Sequence, residues 1–298
     1  MSKRAIRENR QDQVFGAVIL LMATLILILV MYPLYFVVIA SISDPDQVAT
    51  GQVILFPKGI SLEGYTYILG DKRIWTGYLN SILYAFFGTL IALAITIPAG
   101  YALSRSDLRG RGILMKLMVF TMYFSGGLIP TYLVVKALHL IDQRLVLMIM
   151  GSFSVYNLIL TRTFFASTIP KELQEAADID GCTIPVFFTH IVLPLSKSII
   201  AIMALYYCVG HWNSFFSALV YINSQSKFPL QLILRDILIS GQAVDMENTD
   251  PELLLRMEHI ARTIKYGVII VASAPVLCIY PFVQKHFVKG VMIGSIKG

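Results

Sequence analysis

Glu175-Ala176-Ala177-Asp178-Ile179-Asp180-Gly181, continuing to Ile191-Val192-Leu193-Pro194, forms a polar island between two long apolar runs. Pro170 suits the first turn of a helix, and Glu172 suits the positive end of its dipole. Leu173, Ala176, Ala177 and Asp180 then share one face at i, i+3, i+4 and i+7. The two alanines make that face shallow enough for another protein to approach closely. Gly181 fits the left-handed position that ends a helix. Pro185 opens a second short helix, Ile191 and Leu193 are apolar enough to anchor it, and Pro194 breaks it. The residues predict a short helix held rigidly to its neighbours and projecting from them. The competing reading is an ordinary amphipathic surface helix.

The apolar runs on either side are membrane spans. The chain has 298 residues, of which 56% are hydrophobic and 14% charged, and its mean hydropathy is +0.71. A soluble domain carries about 25% charged residues. A crossing needs about 20 apolar residues, and six runs qualify: 14–41, 77–103, 113–137, 145–166, 198–222 and 266–288. The first follows Lys3, Arg4, Arg7 and Arg10 but is too long for a signal peptide's apolar core of about 7–15 residues, so it is a retained span. The expected organisation is an arm over residues 1–13, a six-span domain over 14–289 and a tail over 290–298. Within the domain lie the 169–194 loop and an outer loop over 223–265.

Lys and Arg in short loops set the orientation. The N-terminal arm, the Arg105-Arg109-Arg111 loop and the 169–194 loop, with Arg162, Lys171 and Lys197 at or near its ends, are expected in the cytoplasm with both termini. The net charge of +6 then reflects loops beside anionic lipid and implies no nucleic acid. In the outer loop, Leu230, Ile233, Leu234, Ile237 and Leu238 line one helical face, and Asp250-Pro251 offers a second helix start. Pro33, Pro98, Pro130, Pro275 and Pro281 fall in the spans as kinks or hinges, with Gly126-Gly127 the best hinge candidate.

The spacing E-A-A-x3-G-x9-I-x-L-P, filled at every fixed position from Glu175 to Pro194, resembles the cytoplasmic EAA loop of ABC importer membrane subunits. Ser125 to Tyr132 with Leu140-Ile141-Asp142, Trp212-Asn213-Ser214-Phe215, and the ending from Val288 to Gly298 resemble carbohydrate-uptake permeases of the maltose type. Pro229 to Asp236 resembles a subgroup importing larger or acidic oligosaccharides. The resemblance implies an all-α type I ABC importer permease in the bacterial cytoplasmic membrane. It implies a second, different permease chain, two ATP-binding subunits and an extracellular solute-binding protein as partners. ATP and Mg would be bound by the partner subunits and no cofactor by this chain. Glu175, Ala176, Ala177, Asp178, Gly181, Ile191, Leu193 and Pro194 would form the coupling surface, with Glu175 the polar contact and Gly181 the turn.

The residues exclude several chemistries. There is no G-x-x-x-x-G-K-[ST] phosphate loop. The five histidines are scattered without metal-ligand spacing, and the three cysteines are far apart. Among ionisable residues the span interiors hold His211 and little else, which argues against an ion-coupled sugar carrier. A membrane enzyme acting on lipid-linked sugar would need paired acids, and no loop offers them. A sugar path needs rings for apolar sugar faces and amides or hydroxyls for sugar hydroxyls. Tyr123, Asn157, Tyr206, Tyr207, Trp212, Asn213 and Phe216 supply them, although aromatics near span ends also form interfacial belts.

Overall fold

The protein is described by a computed structural model covering residues 10–240, 259 and 261–278. The helices run in the order α1 (Arg10–Ser41), α2 (Pro45–Ala49), α3 (Glu63–Gly70), α4 (Lys72–Ser104), α5 (Arg111–Tyr123), α6 (Leu128–Ala137), α7 (Arg144–Ile149) and α8 (Val155–Thr168). They continue with α9 (Lys171–Ile179), α10 (Ile184–Phe187), α11 (Leu193–Leu195), α12 (Lys197–Trp212), α13 (Phe215–Tyr221) and α14 (Leu230–Ser240), and end with α15 (Ala261–Cys278). Asp250-Pro251, Pro281 and the tail lie outside the described residues.

Among the described residues, α1, α4 and α15 are each long and apolar enough to cross a membrane alone. The other expected spans are broken. The run over 113–137 is not one helix: α5 and α6 meet at 112°. Gly126-Gly127 lie in the break, and Pro130 falls in the first turn of α6, where a missing N–H leaves no helical bond unmade. The run over 145–166 is divided at Met150–Ser154, after which the Ser154 hydroxyl caps α8 by accepting from the Asn157 N–H. The run over 198–222 is interrupted at Asn213-Ser214. Helix α15 is already formed at Ala261, before the expected Tyr266.

Contacts divide the chain into two units. One comprises, among the described residues, 10–70, 237–240, 259 and 261–271. Here the Tyr65 hydroxyl donates to Ser41 Oγ at 2.8 Å, the Phe36 and Tyr266 rings meet edge-on at 5.8 Å, and Arg262 lies 3.6 Å from Asp46. The other comprises, among the described residues, 71–236 and 272–278 and carries the candidate sites. Two packed clusters lie there among the described residues. One joins Ala92, Ile97, Tyr101, Phe165, Ala177, Phe187, Val192, Ile199, Met203 and Tyr207. The second joins Tyr84, Val135, Val146, Leu147, Ala218, Tyr221, Ile222 and Leu232.

The second cluster is closed by a polar latch. The Asn80 amide donates to the carbonyls of Ser226 at 2.9 Å and Phe228 at 3.0 Å. The Tyr84 hydroxyl donates to Lys227 O at 2.7 Å, and Ser81 Oγ accepts from the Leu230 N–H at 2.8 Å. Non-helical backbone beside membrane spans is stable only when protein satisfies it, and α4 supplies those partners. Asp142 completes the latch. Its carboxylate accepts from the N–H groups of Asn223 at 3.0 Å and Ser224 at 2.9 Å, the Ser224 hydroxyl at 2.5 Å and Lys227 Nζ at 3.0 Å.

The Ser224 hydroxyl, helped by the Ser224 N–H and Lys227, holds the Asp142 carboxyl well below the ordinary carboxylate range. A carboxyl depressed by folding stabilises the native state above its unfolded pKa, about 3.9, and loses that contribution as pH falls through the lower folded value. Asp142→Ala is therefore expected to lower the melting temperature of the detergent-solubilised protein at pH 7. The deficit should narrow as pH drops below about 4. A deficit independent of pH would show that the carboxylate's charge is not what matters.

Candidate functional site: a projecting helix and a polar cleft joined by one packed cluster

The projecting helix is α9. Pro170 caps it with extended backbone, φ −63° and ψ 145°, and Glu172 stands in the first turn where the helix dipole is positive. Ala177 is buried, and Leu173 packs against the first cluster. Glu172, Glu175, Ala176 and Ile179 are exposed. The helix is thus turned from the expected phase: the sequence put Ala176 with Ala177 on one approachable face, whereas the structure buries Ala177 and presents Ala176 with the glutamates. Burial of Leu173 and Ala177 against Phe187 and its neighbours fixes that rotation.

The helix ends as its glycine requires. Gly181 has φ +72°. The Cys182 N–H donates to Ala177 O at 2.9 Å and the Gly181 N–H to Asp178 O at 3.2 Å. These are the paired bonds of a Schellman cap, which satisfies carbonyls left open at a helix end. Helix α10 follows with Pro185 in its first turn. The next turn, Phe188–Val192, is wider than an α-helix, and the Leu193 N–H reaches back to Phe188 O. The wide turn precedes Pro194, whose ring would otherwise crowd the carbonyl of the preceding turn. Pro194 is therefore accommodated inside the helix, and the break that the sequence places at Pro194 itself falls one residue later. The helix runs through Leu195, and the chain bends by 81° into α12. Ile191 and Leu193 pack against the first cluster in the expected anchoring positions.

That cluster links the helix to a cleft. Tyr101 of α4 lies 5.1 Å from the Phe188 ring and 5.7 Å from the Phe165 ring, centroid to centroid. Tyr207 belongs to the same cluster and shares a 2.7 Å hydrogen bond with Thr96 Oγ1. Its edge reaches a cleft of about 270 Å3 lined by Met150, Gly151, Ser154, Asn157, Tyr206, Tyr207, Gly210, His211, Ser214 and Ser217.

Three of the seven residues expected on a sugar path meet there: Asn157, Tyr206 and Tyr207. Tyr207 is only 3% exposed, and its hydroxyl already has Thr96 as partner. Tyr123 stands apart from the cleft, 76% exposed on α5. Trp212 is buried, donates its indole N–H to Ala272 O at 3.1 Å and packs on Tyr78. Asn213 caps α12 through its N–H to Val209 O at 3.1 Å. Phe216 is exposed on α13 and is not among the lining residues.

The residue that sequence reasoning passed over is His211. It is buried, lines the cleft, and its Nε2 has no hydrogen-bond partner among the described residues. The ring fills a notch made by Gly88: a Cβ there would fall 2.5 Å from His211 Cε1 and Nε2. The available signal was its standing as the ionisable residue inside a span, since buried ionisable groups in membranes mark function.

No family model matches the chain. The polygalacturonan/rhamnogalacturonan transport system permease protein YtcP of Bacillus subtilis (strain 168) is 43% identical over 281 residues, covering 94% of this chain and 96% of that protein. Protein LplC of the same organism is 40% identical over 266 residues, 89% of each. A solved structure of a bacterial ABC transporter involved in the import of the acidic polysaccharide alginate aligns with a TM-score of 0.81 at 32% identity, over 94% of this chain and 99% of that one. With identities this high over nearly its whole length, the chain belongs to the membrane-spanning permease subunits of carbohydrate ABC importers.

Proposed function

We propose that this chain forms one half of the translocation path of an ATP-driven importer for an anionic oligosaccharide. It pairs with a second, different permease, and two ATP-binding subunits hydrolyse ATP for it. An extracellular binding protein delivers the cargo. The observation that carries the reading is that one packed cluster runs from Ala177 of the projecting helix to Tyr207 at the cleft. Packed interiors transmit displacement because they cannot be compressed. In this reading both termini, the 105–111 loop and the 169–194 loop face the cytoplasm. Closure of the ATP-binding subunits moves α9, and Phe187, Tyr101 and Phe165 carry that motion to α4 and α12. The equilibrium between inward and outward forms shifts only as far as ATP and cargo bind the two forms differently.

The relatives' names support an acidic cargo, since polygalacturonan and alginate are polymers of uronic acids. The cleft is chemically suited to it. Its described lining residues include amide, hydroxyl and imidazole groups and no carboxylate to repel a uronate. The test uses the assembled transporter in liposomes with its binding protein. With the binding protein on one face of the membrane and ATP on the opposite face, labelled oligogalacturonate is expected to accumulate on the ATP side, and an excess of unlabelled neutral maltooligosaccharide should not compete. Competition by the neutral sugar would overturn the anionic cargo. Accumulation without an ATP-binding subunit would overturn the importer mechanism.

A further inference from the structure

The C-terminal end of α4 is tied down by three arginines. Arg162 Nε of α8 donates to Leu103 O at 3.2 Å, and Arg111 Nη1 of α5 donates to Arg105 O at 2.9 Å. A helix leaves carbonyls at this end without partners of its own. The third arginine, Arg105, is gripped by Asp107, whose carboxylate accepts from Nε at 2.9 Å and from Nη2 at 2.6 Å. The remaining arm, Nη1, donates to the Tyr101 hydroxyl at 3.2 Å. The Arg105 side chain is 12% exposed and that of Asp107 59%, so the carboxylate side of the group faces solvent and the hydroxyl side faces the packed cluster. Tyr101 is buried, and its ring packs on both Phe188 and Phe165.

We infer that Arg105 is a positioning residue: pinned by Asp107, it holds the Tyr101 ring on Phe188, so that displacement of the 188–192 turn passes to α4. This rests on the coupling route proposed above. Fold stability alone does not account for the arrangement. An ion pair open to solvent on one side, between residues two apart, ties down no distant element and adds little to folding. What it fixes is direction. A guanidinium is a rigid planar fork, and a carboxylate gripping two of its nitrogens sets where the third points. Here the third points at the tip of the ring by which α4 meets the wide turn, 5.1 Å from Phe188. A packed contact passes displacement only when neither side slips. With its tip bonded, the Tyr101 ring cannot turn aside when Phe188 moves. With its tip freed, it yields, and the displacement is spent on side-chain rotation. Arg111 and Arg162 tie α5 and α8 to the same end of α4, so a displacement that arrives there reaches them as well.

The test is the stimulation of ATP hydrolysis by binding protein loaded with oligogalacturonate, read as the stimulated over the basal rate of the assembled transporter in liposomes. The ratio does not depend on how much complex assembles, so a weaker fold alone does not move it. Arg105→Gln, Tyr101→Phe, their combination and Gly181→Val are compared with the unaltered chain. Loss of the pin in Arg105→Gln is expected to lower the stimulation about fivefold or more. Tyr101→Phe keeps the ring but loses the bonded tip, and should lower it as well. The combination should be no worse than Arg105→Gln, since the arginine acts through that hydroxyl. If Arg105→Gln is stimulated as strongly as the unaltered chain while Gly181→Val is not, the route stands and the positioning role is overturned, whatever amount of complex assembles. Losses that multiply in the combination overturn it too, because Arg105 then acts by another route. If Gly181→Val is stimulated as strongly as the unaltered chain, the coupling route falls and the positioning role with it.

Discussion

Gly181→Val is expected to abolish coupling while leaving the protein in the membrane. Uptake should fall at least about tenfold, and stimulation of ATP hydrolysis by loaded binding protein should disappear, with the amount of inserted protein little changed. The physical reason is local. At φ +72° an L side chain pays about 1–2 kcal/mol, and a β-branched one is a genuine outlier there. Relief requires rotating the backbone at 181, which breaks the bonds from Gly181 to Asp178 and from Cys182 to Ala177. Helix α9 then loses its fixed end, and the angle between it and α10 is no longer set. About 1.4 kcal/mol corresponds to a factor of ten in an equilibrium, so strain of this size suffices to depopulate the docked geometry. Gly181→Asn is the control, since Asn tolerates the left-handed region, and it should keep most of the uptake. Equal uptake from the Val and Asn variants would show that the left-handed turn is not needed for coupling.

The contrast between Gly181 and Ala176 shows what the chain's letters can disclose. A helix-ending glycine is legible because few other residues fit the conformation, and the structure places Gly181 in it. The face a helix turns outward is set by what it packs on. Leu173, Ala176 and Ala177 are compatible with either rotation until Phe187 and Phe165 are in place. The same holds for the spans. Hydropathy marks where chain can lie in lipid but does not register an interruption whose backbone is satisfied by other protein. The division at Met150–Ser154 falls inside an apolar stretch, as does the break at Asn213-Ser214. The latch was least legible, because Asp142 finds its partners more than eighty residues away, from Asn223 to Lys227. Of the cleft, Asn157, Tyr206 and Tyr207 were readable from their chemistry. His211 was noticed for its charge and set aside because a lone histidine gives no metal spacing. Its place became visible only with Gly88 and Gly151 around it.

That place makes a second large effect predictable. Gly88→Ala is expected to destabilise the protein strongly for so small a change, and removal of the His211 ring should restore much of the loss. The added Cβ would stand 2.5 Å from His211 Cε1 and Nε2 and 2.8 Å from Cδ2, far inside van der Waals contact. The ring is buried, and the space open to it is the cleft it lines. Overpacking of this kind costs about 1–3 kcal/mol, equivalent to roughly 2–4 °C in melting temperature per kcal/mol for a chain of moderate size. His211→Ala alone empties the notch and is expected to cost less, because it leaves space beside the cleft where Gly88→Ala forces a clash. In the double variant the alanine methyl occupies space the ring has left. The two changes should therefore be strongly non-additive, with a coupling of about 1–3 kcal/mol, read from melting of the purified protein in detergent. Additive losses would mean that the ring escapes the methyl and that α4 and α12 are not held together at this point. Transport separates the packing role from a role toward cargo. If the double variant regains stability yet accumulates oligogalacturonate poorly, the imidazole contributes to the path as well as to its wall.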